Sequence, residues 1–146
     1  MGFLGSRAGR PAGLGVHQGQ LAPCPSSPNC VSSMASDPRH ALPPLPVTGA
    51  APQAMQRLQA IVAGQPGARV VSVDERYLHA EFTSRIFRFV DDVEFLLDDG
   101  EDGGQAVIHF RSASRVGHWD LGANRRRMET IGKLFAQQPA DPPGQP

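Results

Sequence analysis

The chain predicts an α+β domain, with a single twisted, mostly antiparallel four-stranded sheet and two helices on one face. Two segments, near residues 55 and 130, repeat apolar residues at helical spacing. Between them, residues 69–110 hold four runs with the alternation or β-branching of strands. The connections between those runs are short, which favours antiparallel neighbours over crossovers.

At 146 residues the chain has the size of one domain. Its ends are rich in Gly and Pro and offer little apolar surface to offset the entropy of ordering. The organisation expected is a flexible N-terminus over 1–20, a Cys/Pro-rich leader over 21–47 packed against the domain, a core over 48–138 and a disordered tail over 139–146. Seven prolines between Pro23 and Pro46 argue against any helix in the leader.

The first helix has Thr48 or Gly49 near its cap, Pro52 in its first turn and Met55, Leu58, Ile61 and Val62 on its apolar stripe. The run GQPG at 64–67 ends it. Strands follow at Arg69–Asp74 and Tyr77–Thr83, the latter with Leu78, Ala80 and Phe82 on one face and Tyr77, His79 and Glu81 on the other. A third strand is read over Ile86–Leu97, with Phe87, Phe89, Val93, Phe95 and Leu97 in phase. Residues 98–104 (DDGEDGG) form a turn, and Gln105–Phe110 is the fourth strand. After Asp120, a good N-cap, the stripe Leu121, Asn124, Met128, Ile131, Leu134 and Phe135 marks the second helix.

Formal net charge is zero, so neither nucleic acid nor an anionic membrane attracts the chain as a whole. The charges are nonetheless segregated: residues 91–102 hold seven acids and no base, whereas residues 111–133 hold six bases against Asp120 and Glu129. No apolar run is long enough to span a membrane, and no secretory h-region is present, which makes a cytoplasmic location the default expectation. The start MGFLGS matches a myristoylation pattern formally, in a Gly/Arg/Ala-rich context that makes chance the better account.

Cys24 and Cys30 are the only cysteines. Zinc would need two of His17, His40, His79, His109 and His118 as further ligands, and none pair at ligand spacing. A redox pair would be separated by two residues rather than five. A structural role remains, either as a disulfide or as two half-buried thiols. No metal or cofactor is expected.

The strongest functional signal is RSASRVGHWDLGANRRR at 111–127. Arg111 and Arg115 offer forked donors, Ser112 and Ser114 hydroxyls, and Gly117 a tight turn before a helix start. Such parts build an anion site, with Asn124 and Arg125 joining from the helix. Against this, Asp120 as a cap would occupy the helix N–H groups. The same residues also fit a buried Arg–Asp–Asn lattice, with Asn124 bonded to the Cys loop or the turn. Arg125, Arg126 and Arg127 point in three directions, so at most two serve one site.

Asp91 lies in phase with the apolar face and needs a partner from Arg111 or Arg115, whereas Asp92 is expected to face water. Neighbours on a strand point apart, so the two are not an acid/base dyad. His118–Trp119 reads as an aromatic clamp or, more simply, as cover for the core edge. The nucleophile elbow G-x-S-x-G is absent around Ser112 and Ser114.

Three stretches, CPSSPNCVSS at 24–33, VDDVEFLLDD at 90–99 and RSASRVGHWDLGANRRRME at 111–129, together with RPAGLGVHQGQLAPCP, resemble a family of bacterial and plastid proteins. It is the domain-of-unknown-function family with serial number 1499, and the resemblance implies no established activity. The leading expectation is a non-catalytic binding or scaffold module with an Arg/Ser-lined polar pocket for a small anion or acidic partner segment. An enzyme using Asp91 or Asp92 with Arg115 is the second reading. An interaction module using the acidic turn and basic helix is the third.

Overall fold

The computed structural model describes residues 9–137. The flexible N-terminus expected over 1–20 therefore lies partly outside the described residues, and the tail over 139–146 wholly outside. The elements run β1 (Cys30–Ser32), β2 (Leu45–Pro46), α1 (Ala51–Ala63), β3 (Ala68–Val73), β4 (Tyr77–Thr83), β5 (Val90–Asp98), β6 (Val107–Ser114) and α2 (Ala123–Gln137).

The sheet has six strands, not four. Its order is β1-β6-β5-β4-β3, with β2 also on β6, and every pairing is antiparallel. Strands β1 and β2 share the outer edge of β6, one opposite residues 111–113 and the other opposite 107–108. At three and two residues they are too short to show a period in sequence. They exist because β6 offers unpaired backbone groups that must be satisfied. Pro46 lacks an N–H, and the outermost position of the sheet tolerates that.

Alternation then sorts the side chains. Leu78, Ala80 and Phe82 of β4, Val93, Phe95 and Leu97 of β5, and Ile108 and Phe110 of β6 join one buried cluster. Ala54, Met55, Leu58 and Val62 of α1 and Met128, Ile131 and Phe135 of α2 complete it, so both helices lie on that face. Pro52 sits in the first turn of α1, where its missing N–H costs nothing.

Two boundaries differ from expectation and both matter for function. The alternating run from Ile86 is not strand: β5 starts at Val90, and residues 84–89 form the β4–β5 hairpin loop. Arg88 has φ 60°, and the loop is closed by Ser84 N–H donating to Phe89 O (2.9 Å) and Phe89 N–H donating to Ser84 Oγ (2.9 Å). The period-2 pattern of this stretch thus belongs to a turn with exposed apolar side chains. Conversely, β6 runs on through Ser114, so Arg111–Ser114 are strand rather than loop. Helix α2 begins at Ala123, and Leu121, expected on its stripe, is exposed with φ 55°. No helix among the described residues is long and apolar enough to cross a membrane.

Cys24 forms a disulfide with Cys30, the first residue of β1, which is fully buried. The bond closes the loop that delivers Cys30–Ser32 to the edge of β6. Loop-closure entropy puts its contribution at about 2–2.5 kcal/mol. Reduction, or Cys24→Ser, is expected to lower the urea-unfolding free energy by about that amount without changing far-UV circular dichroism; unchanged stability would deny the clip a structural role.

Candidate functional site

The long antiparallel pair β5–β6 carries polar residues on both faces. Asp91 opposes Ser114 and Val93 opposes Ser112 on the helix side, whereas Asp92 opposes Ala113 and Glu94 opposes Arg111 on the other. The residues singled out in sequence are thereby divided. Ser112, Ser114, Asn124 and Asp91 share the helix side, and Arg111, Arg115 and Asp92 share the opposite side.

On the helix side Asn124 is the hub and is fully buried. Its Oδ1 accepts from Ser112 Oγ (2.6 Å) and Arg127 NH1 (2.8 Å). Its Nδ2 donates to Asp120 Oδ2 (2.8 Å), Ser114 Oγ (3.0 Å) and the carbonyl of Asn29 in the Cys loop (3.3 Å). Asp120 also accepts from the backbone of Gly122 and Asn124, which is the cap its position suggested. Burial would raise the Asp120 carboxyl, but these bonds outweigh it and hold the group below its usual range. The partner of Asp91 is Arg127 (2.9 Å), not Arg111 or Arg115. The Arg127 guanidinium also lies 4.6 Å over the ring of Phe82.

On the opposite face Asp92 does not meet water; it is 2% exposed. Arg115 forks onto it, with Nε 2.7 Å from Oδ2 and NH2 2.9 Å from Oδ1, and reaches Glu81 at 2.6 Å. His79 Nε2 stands 2.8 Å from Asp92 Oδ1. Glu94 accepts from Gly15 N–H and Tyr77 OH, both at 2.6 Å. Arg10 pairs with Glu81, and Arg111 donates to the carbonyl of Pro23. Residues 10–23 therefore lie over this charged face and exclude water from it.

Electrostatics follow from that geometry. Burial pushes the Asp92 and Glu81 carboxyls up, yet hydrogen bonds from Arg115 with His79 or Arg10 win and hold both below their ordinary values. The bonds to Asp92 raise Arg115 against the pull of burial, and burial lowers Arg111. Burial and the bond to Glu94 push the Tyr77 hydroxyl strongly up. His79, Glu81 and Asp92 offer ligand atoms within 4.8 Å of one another, but Arg115 already supplies the positive charge among them.

The remaining residues fall elsewhere. Arg125 donates to the carbonyls of Pro38, Arg39 and Ala41, so it binds the 38–41 turn. Trp119 does not cover the core: it is exposed, edge-on to His118 with ring centroids 4.9 Å apart.

One of the open clefts, of about 490 Å³, lies beside this lattice. It lies between the end of β4, the turn after α1 and the first turns of α2. Thr83, Ser84, Arg85, Arg126, Arg127 and Thr130 line it, and no carboxylate of the described residues does. Gly67 closes its floor: a Cβ there would stand 2.5 Å from the carbonyl oxygen of Thr83, so only glycine lets the turn meet β4.

Sequence reasoning missed Arg127, His79, Glu94 and Asn29 as network members. The signal was present in β4 and β5. Tyr77, His79 and Glu81 alternate on one face as Asp92 and Glu94 do on the strand beside it, and such a density of ionisable groups marks a covered polar layer as readily as a wet one.

Fold and site together define an α+β domain whose antiparallel sheet is covered on both faces. The chain matches the family described as "Protein of unknown function (DUF1499)" over residues 20–135, and it belongs to that family. No curated protein and no solved structure matches it.

Two outcomes follow. Asp92 and Glu81 have depressed folded pKa values, so their stabilisation is complete above the unfolded values of about 3.9 and 4.3 and is lost as pH falls through the lower folded ones. An acid titration of unfolding free energy should show that loss below about pH 4, and Asp92→Asn should flatten it. Asn124→Ala strands Ser112, Ser114 and Arg127 and is expected to cost about 3 kcal/mol in urea unfolding.

Proposed function

We propose that the domain is a non-catalytic binding module that takes a small phosphate- or carboxylate-bearing anion in the cleft between β4 and α2. The observation that carries this reading is the lining: the exposed Arg85 and Arg126, three hydroxyls and, among the described residues, no acid around one opening. It keeps the anion chemistry expected from 111–127 but moves it to Arg85 and Arg126, since Arg127 beside them is already paired with Asp91. Arg111, Ser112, Ser114, Asn124 and Arg125 are engaged in internal bonds and do not line the cleft. Asp92 and Arg115 are bonded to each other, which favours a structural pair over an acid/base pair. The Cys24–Cys30 disulfide suits an oxidising compartment.

A thermal-shift titration with inorganic phosphate, against chloride at equal ionic strength, tests the reading. Phosphate at a hundredfold excess over its Kd is expected to add about 2.7 kcal/mol, a rise of several degrees in Tm. The double variant Arg85→Ala/Arg126→Ala should lose that rise while keeping its starting Tm. Equal effects of phosphate and chloride on the wild-type protein would remove the proposal.

A further inference from the structure

The end of the sheet where β4 meets β5 and β6 meets α2 carries an unusual surface. Ile86 is 82% exposed, Phe87 67%, Phe89 45%, Trp119 74% and Leu121 86%. These five include both connections at that end, the 84–89 hairpin loop and the 115–122 loop. The connections lie side by side, since Arg115 N–H donates to the carbonyl of Val90 (3.2 Å) and Asp91 pairs with Ser114. Phe87 and Phe89 stack at 5.6 Å, which presents two rings together rather than singly. Large apolar groups gathered at a protruding end mark a contact surface.

Charge identifies what it contacts. The hairpin loop carries Arg85 and Arg88 with no acid, both exposed, and Arg126 is exposed on the first turn of α2. The acids at this end are already engaged: Asp91 by Arg127, Asp92 by Arg115 and Asp120 by Asn124 and the helix N–H groups. The opposite end is acidic. The β3–β4 turn bears Asp74 and Glu75, and the β5–β6 loop bears Asp99, Glu101 and Asp102. A neutral chain is thus electrically polar along its strands; the exposed aromatic side chains Phe87, Phe89 and Trp119 and the most exposed aliphatic ones, Ile86 and Leu121, stand at the positive end, while Val73 and Val16 are about half exposed near the acidic one.

We propose that this end docks on the surface of an anionic lipid bilayer. Ile86, Phe87 and Leu121 enter the acyl boundary, Trp119 sits at headgroup level, and Arg85 and Arg88 meet lipid phosphates. The acidic end faces away from the negative surface, so the field of the whole domain orients it for docking. The domain lies on the bilayer and does not span it. This proposal does not rest on the anion cleft, which is tested without lipid.

Trp119 is the only tryptophan, so its emission reports this surface alone. The full chain is mixed with vesicles of phosphatidylcholine containing phosphatidylglycerol, or of phosphatidylcholine alone. With the anionic vesicles Trp119 emission is expected to shift to shorter wavelength, to be quenched by brominated acyl chains, and the protein to sediment with the vesicles. Ile86→Ser/Phe87→Ser, at largely exposed positions, should abolish all three without lowering Tm. Arg85→Ser/Arg88→Ser should weaken binding roughly tenfold or more. Unmoved emission and no sedimentation with anionic vesicles would overturn the proposal. So would equal binding to pure phosphatidylcholine. A blue shift that grows with protein concentration in the absence of lipid would also overturn it, in favour of a second copy of the chain.

Discussion

Asn124 is the contact on which the remaining architecture leans. An amide buried without partners would cost several kilocalories per mole, so its place on the core side of α2 is tenable only because five groups surround it. Those groups come from four parts of the chain. Ser112 and Ser114 are in β6, Asn29 is in the disulfide loop, Asp120 caps α2 and Arg127 lies one turn further along it. One side chain therefore fixes how the helix, the sheet and the Cys loop meet. Nearby, Ser114 N–H donates to Asn29 O, and Asn29 Nδ2 donates to Gly117 O, which ties the loop to the turn before α2. The apolar cluster would permit α2 to slide; directional bonds to Asn124 select one position.

The second constraint comes from the other side of the sheet. An antiparallel sheet ordinarily leaves one face wet. Here Asp92 and Glu94 are almost fully withdrawn from water, a costly arrangement unless partners are positioned in advance. Arg115 provides the answer for Asp92 and Glu81 together, by a two-pronged contact to one and a single contact to the other. Glu94 is held by a backbone N–H and a phenol. The backbone N–H comes from Gly15, and Arg10 and Pro23 make further contacts, so the segment over this face is bound by polar bonds more than by apolar burial. That explains why it looked unstructured in sequence: hydropathy records the ability to bury apolar area and says nothing about carbonyls and guanidiniums that match a charged sheet.

Legibility in the sequence divides along the same line. Both helices and the four long strands were readable, because periodicity reflects the apolar face that core residues such as Leu78, Phe95 and Met128 build. The edge strands β1 and β2 were not, since a strand of two or three residues is created by the vacancy beside β6 and leaves no pattern of its own. The alternation of Ile86–Phe89 misled in the opposite direction, because a turn with exposed apolar groups has the same period as a strand. Asn124 was legible as a polar residue on an apolar stripe, and the Cys loop was among the partners its burial required. Asp91 and Asp92 were correctly seen to diverge, but their surroundings were misjudged. The error at Asp92 arose from treating the side opposite the core as solvent, and extending β6 to Ser114 removed Arg111 and Arg115 from the side of Ser112 and Ser114.

Locking so many polar residues inside has a consequence for where recognition takes place. Charged groups that satisfy one another are poor at attracting anything else, and this protein uses Asp91, Asp92, Glu81, Arg115 and Arg127 to hold its layers together. What remains available for contact is displaced to the loops at the ends of the strands. At the positive end, pairing of the acids unmasks the bases: with Asp91, Asp92 and Asp120 occupied, Arg85, Arg88 and Arg126 have no compensating carboxylate among the described residues on the surface they share. At the negative end the reverse holds, where Arg76 pairs with Asp99 and leaves Glu75 and Glu101 to define the sign. Zero net charge is therefore a sum of two opposed ends, and the internal lattice creates that opposition by consuming different signs in different places. The same network that fixes the fold thus decides which end of the domain is positive.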